Sequence, residues 1–322
     1  MFKKFLARFG KGAATVDLRF ENRPYRAGDT VQGEVMIQGG EVEQQINHLA
    51  ARLMMNVATR KGTIAREVAA IPLSGAYKIL PKEQKIIPFT YIIPANLPVS
   101  RGMVSYHFDT HLDIEGGVDR TDVDRLVVEL SKEAESVCNA LVHLGFREKP
   151  TSGKVDHYGQ EFAFFPTGMF MGQVNEVELR FAIENGGVRV WMEIDCRRGF
   201  HEIEAKREFF LNQSVLQDEQ KTAELLQQYI TEALVNPHAY AQPFSYVSHK
   251  SGHHHGSPLA SMVGGLAVGI LGGMLLDEIL DELGVDEMME DAAEALGLDE
   301  EAFGEAEESG FGDFFGGGDE DF

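Results

Sequence analysis

Cysteine is almost absent from the chain. Cys138 and Cys196 are the only two in 322 residues, which excludes a disulfide-stapled scaffold and a zinc site built from four thiolates. Basic residues are missing from the C-terminal stretch: residues 258–322 hold 19 Asp and Glu and no Lys or Arg. Most of the formal charge of −22 therefore sits in that appendage, and residues 1–257 carry only −3. Phosphate binding needs a positive footprint, so this balance excludes a nucleic-acid binder. The N-terminus lacks a long apolar run, because Arg8 and Lys11 interrupt it, and a secretory signal is not expected. The signatures of a P-loop, a nucleophile elbow, a dinucleotide-binding turn and an H-E-x-x-H helix are missing too. No enzyme activity and no cofactor are expected.

What is present is a globular body of ordinary composition, 43% hydrophobic and 25% charged, long enough for about two domains. Residues 1–12 place Phe2, Phe5, Leu6 and Phe9 at helical spacing beside Lys3, Lys4 and Arg8, which predicts a short amphipathic helix. Residues 15–21 then alternate Val16, Leu18 and Phe20 with Asp17, Arg19 and Glu21, the period of a half-buried strand. Strands are likewise predicted at 30–38, 45–59, 63–71, 86–93 and 103–114, with Gly39-Gly40 and a series of prolines between them. Strands at this spacing without intervening helices read as an antiparallel β-sandwich over 13–125.

The polar, glycine-containing stretch 113–125 reads as the crossing between domains. Asp113, Asp119, Asp122 and Asp124 are expected to cap turns at that interdomain position; they lack the register of an EF-hand loop. The second unit, 126–236, opens with a helix at 132–144, whose Ala134, Val137, Leu141 and Leu144 share a face and whose Gly145 suits a C-cap. Strands are predicted at 160–165, 174–184, 188–195 and 202–211, with Asn185-Gly186-Gly187 as a hairpin turn. An amphipathic helix over 218–234 is stopped by Pro237. Cys138, Cys196 and Trp191 read as core residues.

These residues resemble the sporulation-control family called stage-zero sporulation protein M. The resemblance runs through Val16-Asp17, Ala27-Gly28-Asp29-Thr30-Val31 with Gly33, Gly39-Gly40, Gln45-Ile46, Ile87-Pro88-Phe89 and Leu97-Pro98. It continues through Thr110-His111-Leu112-Asp113-Ile114, Leu144-Gly145-Phe146, Gln160-Glu161-Phe162 and Asp195-Cys196-Arg197-Arg198. It covers about residues 1–210. Glu129-Leu130 stands where the family pattern leads one to expect a proline, and the pattern ends after Asn236. The resemblance implies a mainly β fold of two arrestin-like antiparallel β-sandwich domains in tandem, with a few helices. It also implies a non-enzymatic, cytoplasmic regulatory or scaffolding role.

The remainder is particular to this chain. Residues 237–258 form a His/Ser/Gly linker in which His253, His254 and His255 offer imidazoles to a metal, though without an acid or thiol at ligand spacing. Residues 259–276 are uncharged and as a helix would span about 27 Å. Within the helix expected over 259–283, Ser261, Gly265, Gly269 and Gly273 recur every four residues and fall on one face, where small side chains let two helices approach closely. Glycine disfavours a lone helix in water, so the segment is expected to pack, foremost against another copy of itself. Residues 284–322 read as an acidic, unstructured tail. The expected function is that of an adaptor binding a protein partner whose identity one chain does not reveal, with self-association through the apolar segment. The alternative is a membrane-associated scaffold held by 259–276 and the basic N-terminal helix.

Overall fold

The computed structural model describes residues 12–242 and Phe244, apart from 60–61, 157–158, 199–200 and 243. Two sheets face each other in the first half. One has the order β1 (Thr15–Phe20), β3 (Thr30–Gln38), β7 (Gln84–Ile92). The other has the order β5 (Gly62–Ser74), β4 (Gln44–Thr59), β8 (Val104–Ile114), β9 (Arg120–Leu126), with β6 (Tyr77–Ile79) also on β4. Every pairing in these two sheets is antiparallel. The alternation seen in the sequence is the packing: Leu18, Val35 and Ile37 of one sheet and Leu49, Leu53 and Met55 of the other are buried in one core. Phe108 stands at its centre, with the rings of Phe20, Phe89 and Tyr91 meeting it edge-on at 5.6, 5.1 and 5.8 Å. Pro88 and Pro72 lie in the edge strands β7 and β5, where a missing N–H interrupts further pairing.

The stretch expected to cross between domains is instead the β8–β9 hairpin. Its charges alternate because one face of β9 points inward at the sheet edge: Asp122 and Asp124 stand opposite Thr110 and Phe108. The chain passes to the second half through β10 (Val128–Glu129), which pairs in parallel with β2 (Tyr25–Arg26).

The second half is built on one five-stranded antiparallel sheet of order β11 (Phe146–Glu148), β14 (Phe162–Pro166), β15 (Val174–Glu184), β16 (Gly187–Arg198), β17 (His201–Asn212). A small pair, β12 (Val155–Asp156) and β13 (Gly159–Gln160), lies beside it. Helices α1 (Lys132–His143), α2 (Gln213–Leu216) and α3 (Glu219–Val235) supply the facing layer. Their Val137, Leu141, Leu226 and Ile230 share a core with Val177, Leu179, Val190 and Met192 of the sheet. Each helix starts on a side-chain cap: Ser131 Oγ accepts from Ala134 N–H at 3.2 Å, Asn212 Oδ1 from Val215 N–H at 3.1 Å, and Asp218 Oδ1 from Lys221 N–H at 3.0 Å. Helix α1 ends at Gly145, whose φ of 83° is open to glycine at little cost. The Asn185-Gly186 turn joins β15 to β16 as expected.

Trp191 is buried, but not in the second core. Val190 and Met192 occupy that core, and adjacent strand residues point to opposite faces. Trp191 therefore stands on the outer face of the sheet, where it packs with Ala182 and Phe244.

Candidate functional site

Two places concentrate polar side chains: the junction between the halves and the outer face of the second sheet. The junction is held by a reciprocal pair of amides. Asn96, from the first half, receives Ile183 N–H on Oδ1 at 2.7 Å and donates Nδ2–H to Ile183 C=O at 3.2 Å. Gln160, from the second half, receives Val99 N–H on Oε1 at 2.7 Å and donates from Nε2 to Val99 C=O at 3.2 Å and Gly153 C=O at 3.1 Å. Each amide thus copies a strand partner, satisfying both main-chain groups of a residue across the junction. Ser100 adds a third tie, donating its N–H to Val128 C=O at 2.7 Å while its Oγ accepts from Val128 N–H at 3.0 Å. Arg26 donates to Leu130 C=O at 3.1 Å and pairs with Glu135 at 2.8 Å; its hydrogen bond with that carboxylate holds the guanidinium pKa up. Between these ties lies a cavity of about 60 Å³ lined by Ala27, Leu97, Pro98, Leu130, Ala134 and Phe162. Pockets for drug-sized ligands run to about 300–1,000 Å³.

The acids expected at the interdomain position find partners within the first half. Asp113 meets His48 at 3.1 Å and Asn47 at 2.9 Å. Asp119 accepts from Ile114 N–H at 3.1 Å, closing the β8–β9 turn, and lies 3.3 Å from His111. Asp122 accepts from Leu18 N–H at 2.8 Å and so joins β9 to β1 across the sandwich edge. Burial, and then the neighbouring Asp122 and Asp17, push the Asp124 carboxyl up to about 7. Asn96 carries no signal of its own in the sequence, since isolated amides are common in loops, although it adjoins the Leu97-Pro98 match. Gln160 opens the Gln160-Glu161-Phe162 match, but nothing in the sequence says that it meets Val99.

The outer face of the second sheet is of another kind. Opposite one another across β15–β16 stand Glu178 and Glu193, and across β16–β17 Asp195 and Glu204. Most cations of this face are engaged: Lys206 pairs with Glu193 at 3.2 Å and Glu204 at 2.8 Å, Arg180 with Glu161, Lys149 with Glu176 and Arg189 with Glu184 at 2.6 Å, while Arg197 stands exposed opposite Glu202. Among the described residues neither Glu178 nor Asp195 has an ion-pair partner. Burial, reinforced by Glu161, Glu176, Glu193 and Asp195, pushes Glu178 up to about 8. Burial with Glu202 and Glu193 foremost pushes Asp195 to about 7. Burial also raises Glu193, against the pull of Lys206.

Both cysteines are buried and neither forms a disulfide; burial drives the Cys138 thiol well above its ordinary value, the reverse of an activated nucleophile. Among the described residues no group of three His, Cys, Asp or Glu could hold a metal ion. Nor is any helix among them long and apolar enough to cross a membrane. His253–His255 and the Ser261, Gly265, Gly269, Gly273 repeat lie outside the described residues, as does the amphipathic N-terminal segment.

The model of the Spo0M family, described as SpoOM protein, matches residues 2–199. The chain belongs to the Spo0M family. The sporulation-control protein spo0M of Bacillus subtilis (strain 168) is 32% identical over 252 residues, covering 72% of this chain and 98% of that protein. The crystal structure of Spo0M, sporulation control protein, from Bacillus subtilis superposes with a TM-score of 0.58 at 29% identity, covering 69% of this chain and 99% of that one. The mainly β, arrestin-like architecture is thus that of the family. More than a quarter of this chain falls outside the alignment to the B. subtilis relative.

Proposed function

We propose that this chain is a non-enzymatic regulatory adaptor of the sporulation-control type. It works by holding protein partners on a stiff two-part platform, with copies brought together by residues 259–276. The observation that carries this reading is the junction. Asn96 and Gln160 each spend a whole amide on the backbone of the opposite half, which sets the angle between two sheet surfaces. A fixed angle suits simultaneous contacts, and self-association multiplies them. The relative's name, sporulation-control protein, accords with a regulatory role.

The test is to compare the full chain with one ending at residue 257 by sedimentation velocity, and to use each in turn as bait. The shortened chain is expected to remain folded, to sediment as a smaller species and to retain partners that bind the platform. Equal mass distributions for both would remove the self-association. A second reading rests on the eighteen uncharged residues 259–276, whose helical length of about 27 Å approaches that of a bilayer core. Pelleting of the full chain with membranes after carbonate washing would favour it over self-association in water.

A further inference from the structure

One end of the second half points away from the junction. Helix α1 starts after Ser131, which lines the junction cavity, and ends at His143, about 18 Å further on. Strand β15 runs the opposite way, from Val174 to Ile183 and its tie with Asn96. The far end therefore gathers the last turn of α1, the loop 167–173 between β14 and β15, and the end of β16. Thr167 fastens the loop to the helix: its N–H and Oγ1 both donate to Gly145 C=O at 2.7 Å. Arg197 N–H donates to Gln173 C=O at 2.8 Å and fastens it to β16. Inside the loop Phe170 is buried, with its ring 5.7 Å from Phe146. Met171 N–H donates to Gly168 C=O at 3.1 Å, and Val174 N–H to Phe170 C=O at 3.0 Å. The loop is thus a firm wedge. Its Met169 and Met171 are left outside, 56% and 63% exposed, and Val142 in the last turn of α1 is 54% exposed.

The charge of this end is also unlike the rest. The chain holds 51 Asp and Glu, yet residues 139–147, 162–175 and 196–198 contain none. Arg147 and Arg197 are exposed there, and neither has an ion-pair partner among the described residues. The acids next along these strands and on α3 are engaged: Glu148 by Arg101, Glu176 by Lys149, Glu202 by the Asn175 amide and Glu232 by Arg207. Asp195 shares the face of Arg197 two residues back, but burial and its acidic neighbours hold its carboxyl up to about 7.

We propose that this tip is a contact for an anionic lipid bilayer. Met169, Met171 and Val142 enter the boundary between headgroups and acyl chains, and Arg147 and Arg197 meet the lipid phosphates. A bilayer is favoured over a protein because three apolar side chains on a loop and a helix end fall far short of the roughly 20–30 residues a side of a standard protein interface. Interfacial binding needs only an apolar tip with flanking cations. At physiological salt, charges more than about 8 Å from the contact are screened, so the acids elsewhere in the chain do not forbid it. The contact is independent of residues 259–276.

The test uses the full chain carrying Met171→Cys. Cys138 and Cys196 are buried, so an environment-sensitive thiol dye reports on position 171. Vesicles of phosphatidylglycerol and phosphatidylcholine are expected to shift its emission to the blue, and lipid-borne quenchers to dim it. Pure phosphatidylcholine vesicles should give a much smaller shift. Arg147→Gln and Arg197→Gln should each weaken binding about fivefold, and Met169→Asp should abolish the shift. The proposal is overturned if the spectrum does not move or moves equally on both kinds of vesicle. It is equally overturned if the chain sediments with vesicles while the dye stays in water, which would place the contact elsewhere in the chain. A blue-shifted dye before vesicles are added, or one that shifts with protein concentration, would mean that polypeptide covers the tip and would also overturn it. The labelled chain decides the matter even where a further variant fails to fold.

Discussion

The outer faces of the two large sheets are charged in different ways. On β4 and β8, Arg52 stands opposite Asp109 at 2.5 Å, and Asn56 bonds His107 at 2.8 Å. On β15, β16 and β17 the register pairs set Glu178 against Glu193 and Asp195 against Glu204. Opposite charges across a pair of strands stabilise it, and like charges oppose it. The first half is therefore settled by its core and balanced at its surface. The second sets like charges opposite one another on its open face, at Glu178 with Glu193 and at Asp195 with Glu204.

The comparison breaks most plainly in the first core. Phe108→Ala removes the ring on which Phe20, Phe89 and Tyr91 converge and is expected to cost about 3–5 kcal/mol in urea denaturation. An effect below about 1 kcal/mol would mean that the sandwich is not centred there. Next come the amide ties. Asn96→Ala and Gln160→Ala each strand a backbone N–H and C=O at the junction and are expected to cost about 1–3 kcal/mol apiece. Together they should split one calorimetric transition into two as the halves come apart; a single transition in the double variant would show that the core contacts alone hold them.

The charged faces separate by pH. Glu178 and Asp195 titrate higher in the folded chain than in the unfolded one. The native state therefore holds the extra protons between about pH 4 and pH 8. Stability from this source is complete below the unfolded values and is lost as pH rises through about 7 to 8. Glu178→Gln should flatten the decline and raise stability at pH 9 by on the order of 1 kcal/mol, after screening of a partly exposed group. Thermal melts of equal slope from about pH 6 to 9 in both chains would contradict this. The smallest change is expected from Asp109→Asn on the balanced face, a loss of about 0.5 kcal/mol from a part-buried opposite-charge pair, read in the same melts.

Much of the framework is legible in the chain. Alternation at Val16, Leu18 and Phe20 marks β1, the helical spacing of Ala134, Val137 and Leu141 marks α1, and Asn185-Gly186 marks the turn between β15 and β16. The motifs quoted for the sporulation-control family lie within the described strands and turns. The crossing expected at 113–125 proves to be a hairpin, because inward-facing Asp122 and Asp124 give an edge strand the look of a polar loop. Hydrophobicity alone points Trp191 to the core, although its neighbours Val190 and Met192 already claim that face.

Strand period, helix caps and turns are relations between residues two to four apart, so the order of residues alone determined them, together with the crowding of acid beyond residue 258. Partners across a sheet are chosen by register, and register is set by packing between segments far apart in the chain. Only the tertiary structure could decide that Asn96 meets Ile183, that Gln160 meets Val99, and that Glu178 faces Glu193 rather than a lysine.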